Sequence, residues 1–260
     1  MSIETSNAIV IRTVEFSETS LVLTLFTRNL GKIHGIAKGA RRLKNSFESA
    51  LDLLAQINVS FIRKNGESLD LLTEAKLLAR FRPTAANLSA LNAGYYLAEL
   101  LDLATADADP AAELYDLAAK TLDRYALGGK IGSAREHFEW GLLDHLGEKP
   151  SLRYCVSCGE KVPLEAMAEK KERIAFGFLD GGVICPECRN TQGFQQVASV
   201  TPESLLRLDA LDRRLENETE RETLLPEPDE KIRGELRGLL DYYFCTLLGK
   251  KPRTQDAARG

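Results

Sequence analysis

Four cysteines fall in two C-x-x-C pairs, Cys155-Val-Ser-Cys158 and Cys185-Pro-Glu-Cys188, with 26 residues between them. A two-residue spacer lets both sulfurs of a pair turn toward one point, so two pairs supply four thiolates in a tetrahedron. That is the donor set of a structural zinc site, closed to water and unsuited to Lewis-acid catalysis. One zinc per chain is the expectation, held by Cys155, Cys158, Cys185 and Cys188. Gly159 follows the first pair, where a tight turn favours a residue without Cβ, and Gly181-Gly182 lead into the second. A redox-active pair would account for one C-x-x-C and not for both, and two disulfides would need an oxidising compartment. The fifth cysteine, Cys245, lies within the apolar run Tyr242–Leu248 and reads as a small buried residue.

A second cluster carries charge. Between Glu18 and Glu48 there is no carboxylate, yet Arg28, Lys32, Lys38, Arg41, Arg42 and Lys44 all fall there. The chain as a whole has a net charge of −4, so this stretch sets a local positive field against an acidic background. Within Ala37-Lys-Gly-Ala-Arg-Arg-Leu-Lys44, Gly39 lets the backbone turn tightly, and arginines grip phosphates in bidentate fashion. The six cations are candidate phosphate contacts for nucleic acid; the alternative is a solvated charge run. Phe16, Phe26 and Phe47 lie nearby in sequence, and each is expected in the core rather than stacked on a base.

Familiar catalytic constellations are missing. His137-Phe-Glu139 has the H-x-E form of zinc deaminases, but Tyr154 and Ile184 stand where proline should precede the C-x-x-C. There is no G-x-x-x-x-G-K-[ST] loop, no G-x-G-x-x-G turn and no G-x-S-x-G elbow. His34 and His145 have no recognisable nucleophile partner. A non-enzyme is expected.

The elements that would position these residues change character along the chain. Ala8–Val14, Leu21–Thr27, Lys32–Ala37, Ile57–Ile62 and Ser68–Thr73 read as strands, with Asn65-Gly66 as a hairpin turn. Five short strands in this span suggest a small closed barrel. Leu51–Ala55 reads equally as a helical turn or as the start of the fourth strand. From Pro83 the pattern is helical, with Leu88, Leu91, Tyr95 and Leu101 on one face. Asp109-Pro110 is expected to cap and open a second helix. Further helices are expected over Ser133–Leu146, from Thr201-Pro202, and after Pro226-Glu-Pro228 with Ile232, Leu236, Leu239, Leu240 and Tyr243 on one face.

The fold class expected is therefore α+β: a five-stranded barrel, then an all-helical domain interrupted by a cysteine module. The expected partition is a barrel over 1–80, a helical domain over 81–150 and 193–250, a metal module over 151–192 and a loose tail over 251–260. The opening residues lack the basic-then-apolar layout of an export signal, and no apolar run approaches the ~20 residues of a membrane span. A cytoplasmic protein without membrane contact is expected.

Taken together these residues resemble the RecO family of bacterial recombination mediators. The resemblance runs through Ile9-Val-Ile-Arg12, Phe16-Ser-Glu-Thr-Ser20, Leu23–Thr27 with Gly31-Lys32, and Ala37-Lys-Gly-Ala-Arg-Arg42. It continues through Tyr95–Leu101, Phe138–Leu143 with Gly147, and the two cysteine pairs. Asn45 departs from the basic or proline-rich chemistry that follows the family's K-G-A-R-R run. The resemblance implies an N-terminal OB-fold, a helical domain and a zinc module. It also implies binding of single- and double-stranded DNA, cooperation with RecR, contact with single-strand-binding protein, help in loading RecA, and annealing of complementary strands. The alternative is a zinc-stabilised protein-interaction scaffold without direct DNA contact.

Overall fold

The computed structural model describes residues 3–42, 44–47, 50–64, 68–84 and 87–259. The expected Asn65-Gly66 turn and Glu48 lie outside the described residues. Two compact units emerge, Met1–Ile131 with Pro252–Gly260, and Gly132–Lys251.

In the first unit the five expected strands form: β1 (Ile3–Glu15), β2 (Leu21–Thr27), β3 (Gly31–Ala37), β4 (Gln56–Ile62) and β5 (Asp70–Ala79). They pair in the order β1-β2-β3-β5-β4 and the ring closes, β1 lying between β2 and β4. All ladders are antiparallel except that of β3 with β5, where Gly35–Ala37 face Asp70–Leu72. In β4 the period of two is plain: Ile57, Val59 and Phe61 are buried, while Gln56, Asn58, Ser60 and Ile62 are half-buried. Ile57, Val59 and Phe61 join Ala8, Val10, Leu23, Leu25 and Ile33 in one core. The register of β1 against β2 slips between Val10 and Arg12. A bulge of this kind shifts which residues face inward. Before it Val10 pairs with the core residue Leu25; after it Thr13 pairs with Leu23, and Val14 is turned outward opposite Val22. Residues 51–55 form a turn, with Leu54 at φ 67, and neither a helix nor a strand.

Two helices follow in the same unit. α1 (Leu88–Ala104) starts at Asn87, whose side chain accepts from the Ala90 N–H. Of the face expected to be apolar, Leu101 is buried, Leu91 and Tyr95 are half-buried, and Leu88 is exposed. The buried face is built instead on Ala90, Ala93, Gly94, Leu97 and Ala98. A Cβ at Gly94 would stand 2.8 Å from Leu54 Cδ1, so small residues here let the helix approach closely. α2 (Ala112–Ala126) begins later than expected, and no side chain caps it. Asp109 is used otherwise: its backbone lies where any Cβ on Gly31 would be, 2.3 Å from its nitrogen. The neighbouring Ala108 N–H donates to the Lys32 carbonyl at 2.9 Å. The tail, expected to be loose, is held. The Glu99 carboxylate accepts from the backbone N–H groups of Arg253 and Thr254, both at 2.8 Å, and from the Thr254 hydroxyl at 2.6 Å. Gln255 is 1% exposed and Ala258 is buried.

The second unit holds α3 (Ile131–Leu146), α4 (Leu164–Glu169), β6 (Ile174–Gly177), β7 (Gly182–Ile184), α5 (Pro186–Thr191), β8 (Val197–Val200), α6 (Pro202–Glu216) and α7 (Glu230–Leu248). The three strands form one sheet in the order β7-β6-β8. No strand was expected here, and the sheet carries the cysteine module through Val200. α7 buries Leu236, Leu239, Leu240, Tyr243 and Phe244, and it stops at Gly249 in the left-handed region. The boundary expected at 250 falls within one residue of the end of the second unit, whereas those expected at 80, 151 and 192 fall inside units. By its contacts α1–α2 goes with the barrel.

Candidate metal centre and nucleic-acid interface

The sequence places each cysteine pair on a local structure that aims its sulfurs. Around the first pair, the Cys155 N–H donates to the Glu160 carbonyl and the Gly159 N–H to the Cys155 carbonyl, both at 2.9 Å. This closes a tight turn with Gly159 at φ 74. The Val156 N–H reaches the Val183 carbonyl at 3.0 Å and fixes that turn to β7. In the second pair Cys185 caps α5, its sulfur accepting from the Cys188 N–H, and Pro186 occupies the first turn. Gly182 matters to the spacing between the pairs, since a Cβ there would come 2.4 Å from the Ser151 carbonyl oxygen.

The four Sγ atoms lie within 4.8 Å of one another, with Cys158 and Cys185 3.7 Å apart. A tetrahedral centre with zinc–sulfur bonds of ~2.3 Å has edges of about 3.8 Å, so the donor set fits that ion. Burial pushes the Cys155 thiol up, but N–H groups of Cys185, Cys158 and Ser157 outweigh it and bring it down to about 6. At Cys158 the Glu160 N–H favours the thiolate, yet desolvation and the neighbouring sulfurs push it up to about 12. Cys185 is raised as well: burial and the Cys188 and Cys155 sulfurs outweigh the Cys188 N–H. One thiolate is welcome and further ones repel it, so four together call for a cation. Cys245 stands apart from this cluster in α7 and is half-buried.

The six cations of the carboxylate-free stretch separate into two groups. Arg28 makes a bidentate pair with Asp116 of α2, at 2.8 and 2.9 Å, and its hydrogen bond holds the Asp116 carboxyl below its usual range. Lys32 is 8% exposed. Its Nζ donates to the carbonyls of Asp102 at 2.7 Å and Thr105 at 2.8 Å, with the Asp107 carboxylate at 3.6 Å. Both residues tie the barrel to the helices beside it. Lys38, Arg41, Arg42 and Lys44 are exposed. Arg41 reaches Glu15 at 3.0 Å; Lys38, Arg42 and Lys44 meet no carboxylate among the described residues. The loop is shaped from within: the Arg42 N–H donates to the Gly39 carbonyl at 3.0 Å, with Gly39 at φ 74. The Arg41 N–H donates to Thr19 at 3.1 Å, bringing the loop against the β1–β2 turn. Asn45 closes the far side, its amide donating to the Arg42 carbonyl at 2.6 Å.

Comparison with known proteins covers most of the chain. The family model described as Recombination protein O N terminal matches residues 1–81, and Recombination protein O C terminal matches residues 85–256. The chain belongs to the RecO family. It is 38% identical to the DNA repair protein RecO of Rhodopirellula baltica, over 95% of this chain and 96% of that protein. It is 32% identical to the DNA repair protein RecO of Geobacter metallireducens over 76% of each. The RecO of Syntrophus aciditrophicus is 27% identical over 93% of this chain and 90% of that protein.

In this RecO-family chain His137 and Glu139 are both 1% exposed. Glu139 accepts from Arg135 at 2.9 Å, and Arg135 also pairs with Asp241 of α7 at 2.5 Å. The H-x-E residues therefore belong to the packing of α3, away from solvent. Of the three aromatics expected in the core, Phe26 and Phe47 are buried, but Phe16 is 66% exposed. The bulge in β1 explains this correction. Without it Phe16 would share the inward phase of Ala8 and Val10; with it, the outward phase of Val14 continues into the turn.

Proposed function

We propose that the chain is a non-enzymatic, cytoplasmic recombination mediator in DNA repair whose barrel, of OB type, holds DNA through its backbone phosphates. The observation that carries this reading is the exposed cationic loop Lys38, Arg41, Arg42 and Lys44, projecting from a five-stranded barrel and almost free of carboxylates. Contacts of this kind position a strand without reading its bases, so single- and double-stranded DNA are both accommodated. Neutralising two strands at once lowers their repulsion and favours annealing, and the lack of a phosphate loop makes that step independent of ATP. Lys32 and Arg28, which tie the barrel to its helices, are left out of the contact set.

Zinc bound by Cys155, Cys158, Cys185 and Cys188 supplies a structural cross-link and no reaction chemistry. Family membership supports cooperation with RecR and with single-strand-binding protein, and assistance to RecA loading. No described helix is long and apolar enough to cross a membrane.

Replacing Lys38, Arg41 and Arg42 together by Ala tests the reading. Binding of labelled single strands should weaken for all sequences alike, and the log–log salt slope should flatten by about 2, at ~0.7 per lost contact. Unchanged affinity and slope would leave the scaffold alternative as the better account.

A further inference from the structure

Resting on that reading, we infer that Phe16 is a base-stacking residue that gives this barrel a preference for single-stranded nucleic acid. Three observations meet at this ring. It is 66% exposed on the turn after β1, and among the described residues no other ring lies against it. Its backbone is fixed: the Phe16 N–H donates to the Ser20 carbonyl at 3.0 Å, and the Ser20 N–H returns to the Ser17 hydroxyl at 3.2 Å. The cationic loop is fastened to the same turn by the Arg41 N–H to Thr19 and the Arg41–Glu15 ion pair. A ring and phosphate-binding side chains thus stand together on one preorganised edge.

The surface leading to the ring is apolar. Val14 pairs with Val22, and Val22 with Ile36, across three adjacent strands; Val14 is exposed and the other two are half-buried. Ile36 is two residues before Lys38. This row offers bases an uncharged floor running toward Phe16, with cations at its edge for the phosphates. A duplex keeps its bases stacked inside and presents phosphates alone, so it would use the cations and not the ring. A single strand uses both, and every base has a face that an aromatic can cover. Glu15 does not oppose the strand, because Arg41 pairs with it. Glu18, exposed on the same turn, limits approach from its own side and favours a strand entering from the Lys38 side.

The test uses the full chain with Phe16→Ala, Phe16→Leu and Phe16→Trp. The probes are a labelled oligothymidylate, an abasic strand of equal length, and a duplex. Phe16→Ala and Phe16→Leu should each weaken the base-bearing strand by about tenfold, within the range of a lost base–aromatic stack. The abasic strand and the duplex should bind as they do to the parent, with an unchanged salt slope. Phe16→Trp should keep the affinity, and its indole fluorescence should be quenched by the base-bearing strand alone. Parent affinity in Phe16→Ala, equal losses on all three probes, or retention by Phe16→Leu would each overturn the stacking role while phosphate binding stood. A parent that binds none of the probes would overturn both readings.

Discussion

The cysteine cluster and the cationic loop carry the two proposed binding roles, and the chain specifies them in opposite ways. At the cysteines, spacing fixes geometry: two knuckles, each closed by its own N–H groups, bring four sulfurs within 4.8 Å. In the loop, composition is repeated but geometry is not, and six cations in one stretch go to different tasks. Arg28 and Lys32 hold the barrel to α2 and to the end of α1, while the four later ones face solvent. Convergence of ligands on an ion demands a pattern that can be read in advance. Contact with phosphate demands only exposure, which depends on what the rest of the chain packs where.

The sharpest break of this comparison is removal of a metal ligand. If the cluster holds the proposed one zinc per chain, Cys188→Ser should abolish that binding and make residues 151–200 protease-sensitive while the barrel stays folded, because binding energies of structural zinc sites run to ~10–16 kcal/mol in small domains. Acid should release the ion, since protons compete for thiolates; metal analysis across a pH series checks both outcomes.

Next comes a contrast between two arginines. Arg135→Ala leaves Glu139 and Asp241 buried without it, and thermal unfolding should show a loss of about 3–5 kcal/mol. Arg42→Ala, at an exposed position, should change stability by less than about 0.5 kcal/mol. Equal effects on melting would mean that exposure does not separate them.

A third comparison lies within the stretch itself. Lys32→Ala removes the donor to two carbonyls and should destabilise the barrel by about 1–3 kcal/mol without altering the salt slope of DNA binding. Lys38→Ala should do the reverse, reducing the slope by about 0.7 with an unchanged melting temperature. A slope change in Lys32→Ala would return that residue to the contact set.

The smallest effect concerns the tail. Burial raises the Glu99 carboxyl, but hydrogen bonds from Thr254 and Arg253 outweigh it and hold the group below its ordinary value. A depressed carboxyl stabilises above its unfolded pKa of ~4.3, and the contribution is lost as pH falls through the lower folded value. Protection of the 253–258 amides, measured against their intrinsic exchange rates, should therefore fall in acid, and Glu99→Gln should lower it at neutral pH.

What was legible in the sequence follows the same division. β1 to β5 were readable because apolar and β-branched runs of seven residues or more lie between turn residues; β4 alternates cleanly, whereas β2 is buried along most of its length. β6, β7 and β8 were not, because strands of three or four residues carry no measurable period and this sheet is fastened by the cysteine turns. The start of α2 was misplaced because Asp109 serves as a neighbour to Gly31 instead of as a cap. The tail was misjudged because its burial rests on hydrogen bonds to Glu99 and not on an apolar pattern. Phe16 was assigned to the core because an inserted residue at a bulge leaves no mark in composition. The four cysteines paired by spacing in the sequence are also the cluster whose sulfurs converge among the described residues.

The tail's return to α1 also orders events during synthesis. Residues 252–259 leave the ribosome only after all of 132–251, so the first unit waits with its last piece missing while the second emerges. α7 directly precedes the tail in the chain, so the last helix of the second unit and the last piece of the first emerge almost together. The bond network around Glu99 then forms as a final closure, and it reports that everything between has been made.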